Sequence, residues 1–343
     1  MIFQNIEFHN VAEIEDTKLG YRLFRFPRKL CDNMGHSGWH HGRYVSQTTA
    51  GCELRFVVEG TRALLSLTSI DEDTYVQIFR GEYAYYQGYT YSFPVKKGVV
   101  TQILLEDKDH FINVDSKLRR DKFSGDVWRV MTDINSTIAF VDLETFGNSV
   151  RPPRGDEVPE KTLLCYGTSL TYGACATSHC ISYIQLLGRM LGCNILNKAM
   201  GGSCMSEPAV ADWLASGFHK FDGVLLENGV NLDRNPKYEE LTDGLLQKLT
   251  AMNPEMPIYC ITSYPRPSTL TADSLAHPCV VDMNCEFEND RTLRRLAAKY
   301  PNCHLIEGGE MMDNLTNLTH DMIHFSDYGH IQTAMNLAKV IKL

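Results

Sequence analysis

The spacing of apolar residues changes part-way along the chain, and this change constrains the fold more than any other feature. Over about residues 52–146 apolar residues mostly alternate with polar ones, as at Leu54, Phe56 and Val58. A period of two predicts antiparallel strands, and no convincing amphipathic helix interrupts them. We therefore predict an all-β sandwich or jelly roll over residues 1–150.

A different pattern begins after the segment RPPRGDEVPEK, residues 151–161, whose proline and charge content predicts an interdomain linker. Beyond it, short unbroken apolar runs alternate with stretches that place apolar residues on one helical face. Runs that are apolar on both faces are typical of parallel strands covered by helices on both sides. We therefore predict a three-layer α/β/α domain over residues 162–343. The five predicted strands are Thr162–Tyr166, Asn194–Asn197, Val224–Leu226, Ile258–Ile261 and His304–Ile306.

Length and charge narrow the function classes. A chain of 343 residues favours two domains. With 33 basic and 42 acidic residues, the surface should on average repel phosphate backbones, so we expect no nucleic-acid partner. The N-terminal segment lacks a secretory pattern and no apolar run is long enough to span a bilayer, which predicts a cytoplasmic protein without a membrane partner. Eleven cysteines without a paired CxxC framework also favour a reducing compartment.

Polar residues follow four of the five predicted strands. Ser169 follows the first strand, Gly202 the second and Asn231 the third. Asp321 and His324 come after the fifth strand, just before the last helix. In an open parallel sheet, ligands bind beyond the carboxyl ends of the strands. We therefore expect these four segments to meet at one edge of the sheet.

These residue types are the ones that nucleophilic acyl transfer needs. An alcohol is a weak nucleophile near neutral pH, so Ser169 requires a base; His324 could serve, with Asp321 fixing its tautomer. An attacked carbonyl becomes an oxyanion, and the backbone N–H groups of Ser169 and Gly202 and the amide of Asn231 are available donors. Taken singly, each residue is more often a loop, turn or cap residue. Their joint order after the strands favours catalysis.

The four segments resemble the sequence blocks of the SGNH, or GDSL-type, hydrolase superfamily. They read GTSLTYG, MGGS, GVN and DMIH. The resemblance implies a flavodoxin-like catalytic domain and a serine esterase, with no metal or cofactor implied. It also implies Ser169 as nucleophile, Asp321 and His324 as its triad partners, and Ser169, Gly202 and Asn231 as oxyanion-hole donors. The longer stretches GTSLTYGACA and SEPAVADWL are similar to a two-domain esterase subgroup in which a jelly-roll domain precedes the hydrolase domain.

Two positions depart from the family pattern. Thr168 stands where the family has an aspartate before the serine, so that carboxylate cannot order the loop here. Leu232 stands where an aspartate usually follows the asparagine of the third block. Asn228 is therefore an alternative amide donor, and Gly201 is an alternative to Gly202.

Three rival interpretations stand beside the serine esterase. A thiol nucleophile at Cys165, Cys175 or Cys204 lacks an obvious base of its own. A non-catalytic carbohydrate-binding or scaffolding protein could keep the hydrolase fold. A divalent metal site is the third, although the sequence has no helical HExxH pair. Its candidate ligands would come from His320, Asp321, His324 and His330, or from Cys175, His179 and Cys180.

The predicted substrate is a small-molecule or oligosaccharide acyl ester. No long apolar lid is visible, which favours short acyl groups, acetyl above all, on a carbohydrate or similar polar alcohol. The aromatic segments WHHGRY, residues 39–44, and YAYYQGYTYSF, residues 83–93, could stack on sugar rings or serve strand packing and domain docking. The long polar connection from Tyr264 to about Asn289 could wall the substrate pocket, with Arg266 and Tyr264 as candidate substrate contacts.

Overall fold

A computed structural model describes residues 1–34, 36–37, 40–119, 122–232, 235–266 and 283–343. Antiparallel sheets occupy the first half of the chain and a parallel sheet the second. The two kinds of sheet therefore follow the two spacing patterns of the sequence. Among the described residues, no helix combines the length and the apolar character that crossing a bilayer requires.

The strands of the first half show the alternation that a period of two predicts. Along Thr101–Glu106, for example, Ile103 and Leu105 are buried, whereas Leu104 between them is exposed. Short helices lie between some of the strands: α1 (Arg28–Asn33), α2 (Gly42–Ser46) and α3 (Asp109–Ile112). In chain order the strands are β1 (Ile2–Phe3), β2 (Ile6–His9), β3 (Glu13–Thr17), β4 (Gly20–Phe24), β5 (His36–Ser37), β6 (His40–His41), β7 (Glu53–Val58), β8 (Arg62–Ser69), β9 (Thr74–Arg80), β10 (Tyr83–Ala84), β11 (Ser92–Val95), β12 (Thr101–Glu106), β13 (Trp128–Thr132), β14 (Ile138–Glu144) and β15 (Val150–Arg151).

Most of these strands form two antiparallel sheets that share one core. One sheet runs in the order β1-β2-β7-β13-β9-β10, with β11 also beside β9 and β15 beside β7, and the other runs β12-β8-β14-β4-β3. The core between them takes Phe8, Phe56 and Trp128 from the first sheet, and Leu65 and Phe140 from the second. This packing confirms the predicted β-sandwich. The jelly-roll topology stays a prediction.

The parallel sheet of the second half lies where the unbroken apolar runs predicted it. Its strands are β16 (Thr162–Gly167), β17 (Asn194–Asn197), β18 (Gly223–Glu227), β19 (Ile258–Ile261) and β20 (Cys303–Ile306), in the order β17-β16-β18-β19-β20. The described helices of this half are α4 (Ser169–Tyr172), α5 (Tyr183–Leu191), α6 (Pro208–Leu214), α7 (Tyr238–Met252), α8 (Met283–Lys299), α9 (Gly308–Met311) and α10 (Asp327–Val340), with single 3-10 turns at Gly155–Glu157, His179–Ile181 and Leu315–Asn317.

Helices cover both faces of this sheet. Leu164 of β16 packs in one apolar cluster with Leu245 of α7, whereas its neighbour Leu163 packs in another with Leu187 of α5 and Ala334 of α10. Successive residues of a strand point to opposite faces, so both faces of β16 are buried. The predicted three-layer α/β/α fold is confirmed.

The first half also packs into the core of the second. Phe26, Cys31 and Val45, in and around α1 and α2, share an apolar cluster with Leu196 and Val210 of the α/β half. The two halves are therefore joined by a continuous apolar contact. The precise domain boundaries, including the linker at 151–161, stay a prediction.

Candidate active site

The strand order of the parallel sheet determines where its loops converge. The first strand in sequence, β16, lies between the second, β17, and the third, β18, so chain connections leave β16 and β18 in opposite directions. Such a switch point opens a crevice at the carboxyl ends of the strands. Ser169 follows β16, Gly202 follows β17 and Asn231 follows β18, so all three lie at this crevice.

Ser169 begins the single-turn helix α4, directly after β16, and its side chain is half-buried. Its hydroxyl oxygen lies 2.8 Å from Nε2 of His324, a residue 155 positions later in the sequence. The first backbone N–H groups of a helix have no acceptor within the helix, so the N–H of Ser169 is available to a ligand. The structure therefore brings the predicted nucleophile and the predicted base into hydrogen-bond contact.

Asp321 and His324 lie on one tight turn before α10. Nδ1 of His324 lies 2.7 Å from Oδ2 of Asp321, and the other carboxylate oxygen accepts from the backbone N–H groups of Ile323 and His324 and from the hydroxyl of Thr319. Burial alone would raise the pKa of Asp321, but these hydrogen bonds hold it well below its ordinary value. An ionised Asp321 accepts the Nδ1 proton, which leaves Nε2 of His324 free to accept from Ser169.

Gly202 and Asn231 lie on the two loops beside Ser169. Gly202 has φ +67°, in the left-handed region that favours glycine, and a Cβ built on Gly201 would lie 3.8 Å from Cα of Ser169. The side-chain oxygen of Asn231 accepts from the backbone N–H of Cys204, which orients the amide and leaves its NH₂ group for another acceptor. The loop after β17 that carries Gly201 and Gly202, the glycine loop, therefore lies beside Ser169, and the side chain of Asn231 bonds this same loop at Cys204.

Asn228, the alternative amide donor, has a different environment. Its side chain is fully buried and its NH₂ group donates to the hydroxyls of Ser206 and Thr242. An amide whose two protons are both engaged in the core has none left for an oxyanion. This environment favours Asn231 over Asn228, and the oxyanion role of Asn231 stays a prediction.

Glu227, the last residue of β18, bonds the segment around Ser169 and is not among the site residues that the sequence predicts. One carboxylate oxygen accepts from the hydroxyl of Thr168 at 2.7 Å, from its backbone N–H at 3.0 Å and from the hydroxyl of Thr171 at 3.0 Å. Burial raises the pKa of Glu227 to about 7, although these hydrogen bonds and the charge of Arg266 act to lower it. A carboxylate on the adjacent strand thus bonds the segment before the serine, where Thr168 itself carries none. The sequence feature that could have revealed Glu227 is the glutamate at the end of the apolar run GVLLE.

Arg25 of the first half holds the loop that leads to Gly202. Its fully buried guanidinium donates to the backbone oxygens of Asn197 and Ala199 at 2.9 and 3.0 Å, and lies 5.3 Å from the ring centroid of Tyr172 on α4. Lys198, also fully buried, donates back to the backbone oxygen of Arg25. The first half therefore supports both α4, the helix that begins at Ser169, and the glycine loop. The sequence feature that could have revealed Arg25 and Lys198 is a charged residue inside each of the apolar runs YRLFRF and NILNKAM.

The remaining predicted substrate contacts are less accessible. Tyr264 is 3% exposed and packs against Tyr183 and Phe325, and Arg266 is 6% exposed. Substrate contact by Tyr264 and Arg266 stays a prediction. The connection predicted to wall the pocket lies outside the described residues over 267–282.

The two aromatic segments differ in what the structure describes. In YAYYQGYTYSF, Tyr85 and Phe93 are buried in the sandwich core, whereas Tyr83, Tyr86 and Tyr89 are exposed. Strand packing therefore accounts for part of the segment only. In WHHGRY, Trp39 and the histidine side chains lie outside the described residues.

Among the alternative nucleophiles, Cys165 and Cys204 are buried, and burial raises the pKa of both thiols well above the ordinary value. Cys175 is exposed instead, and its Sγ, a carboxylate oxygen of Asp321 and a ring nitrogen of His324 all lie within 4.8 Å of one another. A buried thiol with a raised pKa is a poor nucleophile, which disfavours Cys165 and Cys204. The hydrogen-bond contact of Nε2 of His324 is with the hydroxyl of Ser169, which favours the serine over Cys175.

Two of the histidines proposed as metal ligands, His179 and His330, have structural partners. Nδ1 of His330 accepts from the backbone N–H of Tyr183 and its Nε2 faces the backbone oxygen of Ala174, so both ring nitrogens are engaged. Burial lowers the pKa of His179 to about 3, and this side chain lies beside Gln185. The hydrogen bonds at both ring nitrogens disfavour His330 as a metal ligand, and burial disfavours His179.

The model of the GDSL-like lipase/acylhydrolase family matches residues 160–342, more than half of the chain. The chain belongs to this family. It is therefore a carboxylic ester hydrolase, and the predicted resemblance to SGNH hydrolases is confirmed. A search of curated protein sequences found no match.

Solved structures of similar shape extend over nearly the whole of this acylhydrolase. A salicylyl-acyltransferase, SsfX3, from a tetracycline biosynthetic pathway superposes with a TM-score of 0.76 at 13% identity, covering 97% of this chain and 93% of the other. A family two carbohydrate esterase from Clostridium thermocellum, in complex with cellohexaose, has a TM-score of 0.60 at 14% identity, covering 97% of each chain. An acetyl xylan esterase, Est2A, from Butyrivibrio proteoclasticus has a TM-score of 0.55 at 11% identity, covering 98% and 95%. At these identities the likeness establishes a shared two-part fold.

We predict that Glu227→Gln flattens the pH dependence of the acylhydrolase's stability. The folded-state pKa of Glu227 is about 7, above the ordinary 4.5. Its stabilising contribution to the free energy of unfolding is therefore fully present below about pH 4.5 and is lost as the pH rises through 7. At 1.36 kcal/mol per pKa unit, that loss amounts to roughly 3 kcal/mol. The glutamine of the variant does not titrate, so the variant does not show this loss. Denaturant unfolding at pH 5 and pH 8 measures the difference.

The matched control is Glu239→Gln, which changes an exposed carboxylate paired with Arg295 on the surface. This variant should keep the wild-type pH dependence. Wild type and Glu227→Gln losing the same free energy of unfolding between the two pH values would contradict the assignment.

Proposed function

We propose that this acylhydrolase hydrolyses short-chain acyl esters, acetyl esters above all, of a carbohydrate or similarly polar alcohol. The observation that carries the proposal is the hydrogen-bonded chain from Asp321 through His324 to Ser169, with distances of 2.7 and 2.8 Å. A serine hydroxyl needs such a base, held in one tautomer, to act as a nucleophile near neutral pH.

In the proposed reaction, Oγ of Ser169 attacks the ester carbonyl while Nε2 of His324 takes the hydroxyl proton. Asp321 stabilises the imidazolium that forms. The backbone N–H groups of Ser169 and Gly202 and the amide of Asn231 donate to the oxyanion. Collapse of the tetrahedral intermediate breaks the bond to the alcohol, which receives its proton from His324. Water, deprotonated by the same imidazole, then attacks the acyl-enzyme and releases the carboxylic acid.

Two observations support the choice of substrate. Among proteins of the same two-part fold, one is an acetyl xylan esterase and another is a carbohydrate esterase in complex with cellohexaose. In the first half of this chain, Tyr83, Tyr86 and Tyr89 expose aromatic rings, and ring faces of this kind can stack on sugars. A polar, sugar-like alcohol carrying a small acyl group fits both observations.

Ser169→Ala should reduce hydrolysis of a chromogenic acetate ester by on the order of 10⁴-fold or more, because the variant has no oxygen to form the acyl-enzyme. Steady-state absorbance assays measure the change. Ser216→Ala is the matched control, since it removes an exposed hydroxyl that bonds only the nearby backbone groups of Trp213 and Phe218, and it should keep full activity. A folded wild-type protein that turns over no acyl ester would favour the non-catalytic binding protein instead.

Asn231→Ala should lower kcat by about a hundredfold or more with little change in KM, because the amide would act only on the charge that develops in the transition state. Asn228→Ala is the comparison variant. It removes a core hydrogen-bond donor and should lower the free energy of unfolding more than it lowers kcat. If Asn228→Ala abolished turnover in a folded protein while Asn231→Ala did not, the donor assignment would be reversed.

A further inference from the structure

Cys175 lies next to the triad although the proposed reaction gives it no role. The residue follows the nucleophile helix α4, is exposed, and has φ +66°, a backbone conformation that is uncommon outside glycine. Its Sγ lies within 4.8 Å of a carboxylate oxygen of Asp321 and a ring nitrogen of His324. A thiol, a carboxylate and an imidazole thus face one small volume at the opening of the site.

Contacts on either side hold the thiol in this position. The backbone oxygen of Ala174 accepts from Nε2 of His330, and the backbone N–H and the hydroxyl of Thr177 both donate to the carboxylate of Asp327 at the start of α10. Because Ala174 and Thr177 bracket Cys175 closely in sequence, the left-handed turn between them has little freedom. The thiol is therefore pre-positioned against the loop that carries Asp321 and His324.

We propose that Cys175, Asp321 and His324 bind a thiophilic divalent cation, represented by Zn²⁺, and that the bound cation inhibits the esterase. Zinc takes sulfur, nitrogen and carboxylate oxygen ligands at roughly 2.0–2.3 Å in a tetrahedron, so its ligand atoms lie about 3–4 Å apart. The three donor atoms need to approach by only about 1 Å to reach that spacing. Water would complete the tetrahedron as the fourth ligand.

Binding inhibits because it removes the lone pair that the base uses. The cation displaces the thiol proton to solvent and takes the thiolate, one carboxylate oxygen and one ring nitrogen. If that nitrogen is Nε2 of His324, its lone pair is no longer available to Ser169. If it is Nδ1, the remaining ring proton must sit on Nε2, which then donates to Ser169 and cannot accept. Either geometry abolishes general-base catalysis. The inhibition rests on the proposed function, whereas the cation site does not.

The first test is a titration of esterase activity with Zn²⁺, in wild type, in Cys175→Ser and in Cys180→Ser. We expect Zn²⁺ to inhibit the wild type and a chelator to restore activity, and Mg²⁺, which prefers oxygen ligands, to have no effect. Cys175→Ser should keep basal activity and raise the half-inhibitory Zn²⁺ concentration by on the order of tenfold or more. Cys180→Ser, which changes another partly accessible thiol, should resemble wild type. Equal inhibition of Cys175→Ser and wild type would overturn the proposal.

The second test does not depend on activity. Cd²⁺ bound to a thiolate gives an ultraviolet charge-transfer band, and titration should give the wild type one more equivalent of this band than Cys175→Ser or Cys175→Ala gives. The same band in all three proteins would overturn the cation site. The difference band in a protein that hydrolyses no ester would support the cation site while contradicting the proposed function, so the two failures are distinguishable.

Discussion

The pairing of β16 with β17 on one side and β18 on the other is the constraint on which the site depends. In this parallel register Cys165 lies level with Asn197 and with Leu225, so the three strands end at nearly the same height. The loops that carry Ser169, Gly202 and Asn231 consequently start side by side. The remaining requirement is an imidazole from elsewhere in the chain, and the turn before α10 supplies His324 from the end of the sequence.

Two buried ionisable side chains fix these loops more firmly than strand pairing alone could. Glu227 accepts three hydrogen bonds from Thr168 and Thr171, and Arg25 donates to backbone oxygens of the loop before Gly202. Burying a polar or charged group is unfavourable unless hydrogen bonds compensate it, so each of these side chains restricts its partners to a narrow set of positions. Since Arg25 belongs to the first half, the sandwich is part of the scaffold of the catalytic loops.

The strands of both halves could be predicted because their periods differ and because buried parallel strands are apolar on both faces. The positions of Ser169 and His324 could be predicted from the chemistry that follows each strand. Glu227 and Arg25 could not, because a single charged residue inside an apolar run does not reveal which backbone groups will surround it. Thr168 illustrates the difficulty. The carboxylate that bonds Thr168 belongs to Glu227 on an adjacent strand, and only the register of β16 with β18 brings it there.

The central claim is that Ser169 is a nucleophile activated by His324. Reaction with a serine-directed fluorophosphonate, followed by peptide mass spectrometry, tests this most directly because the reagent captures the nucleophile covalently without any assumption about the substrate. We predict a single phosphonylated peptide that carries the label on Ser169 and that forms far more slowly in His324→Ala. A label on a different residue, or a folded protein that stays unlabelled, would contradict it.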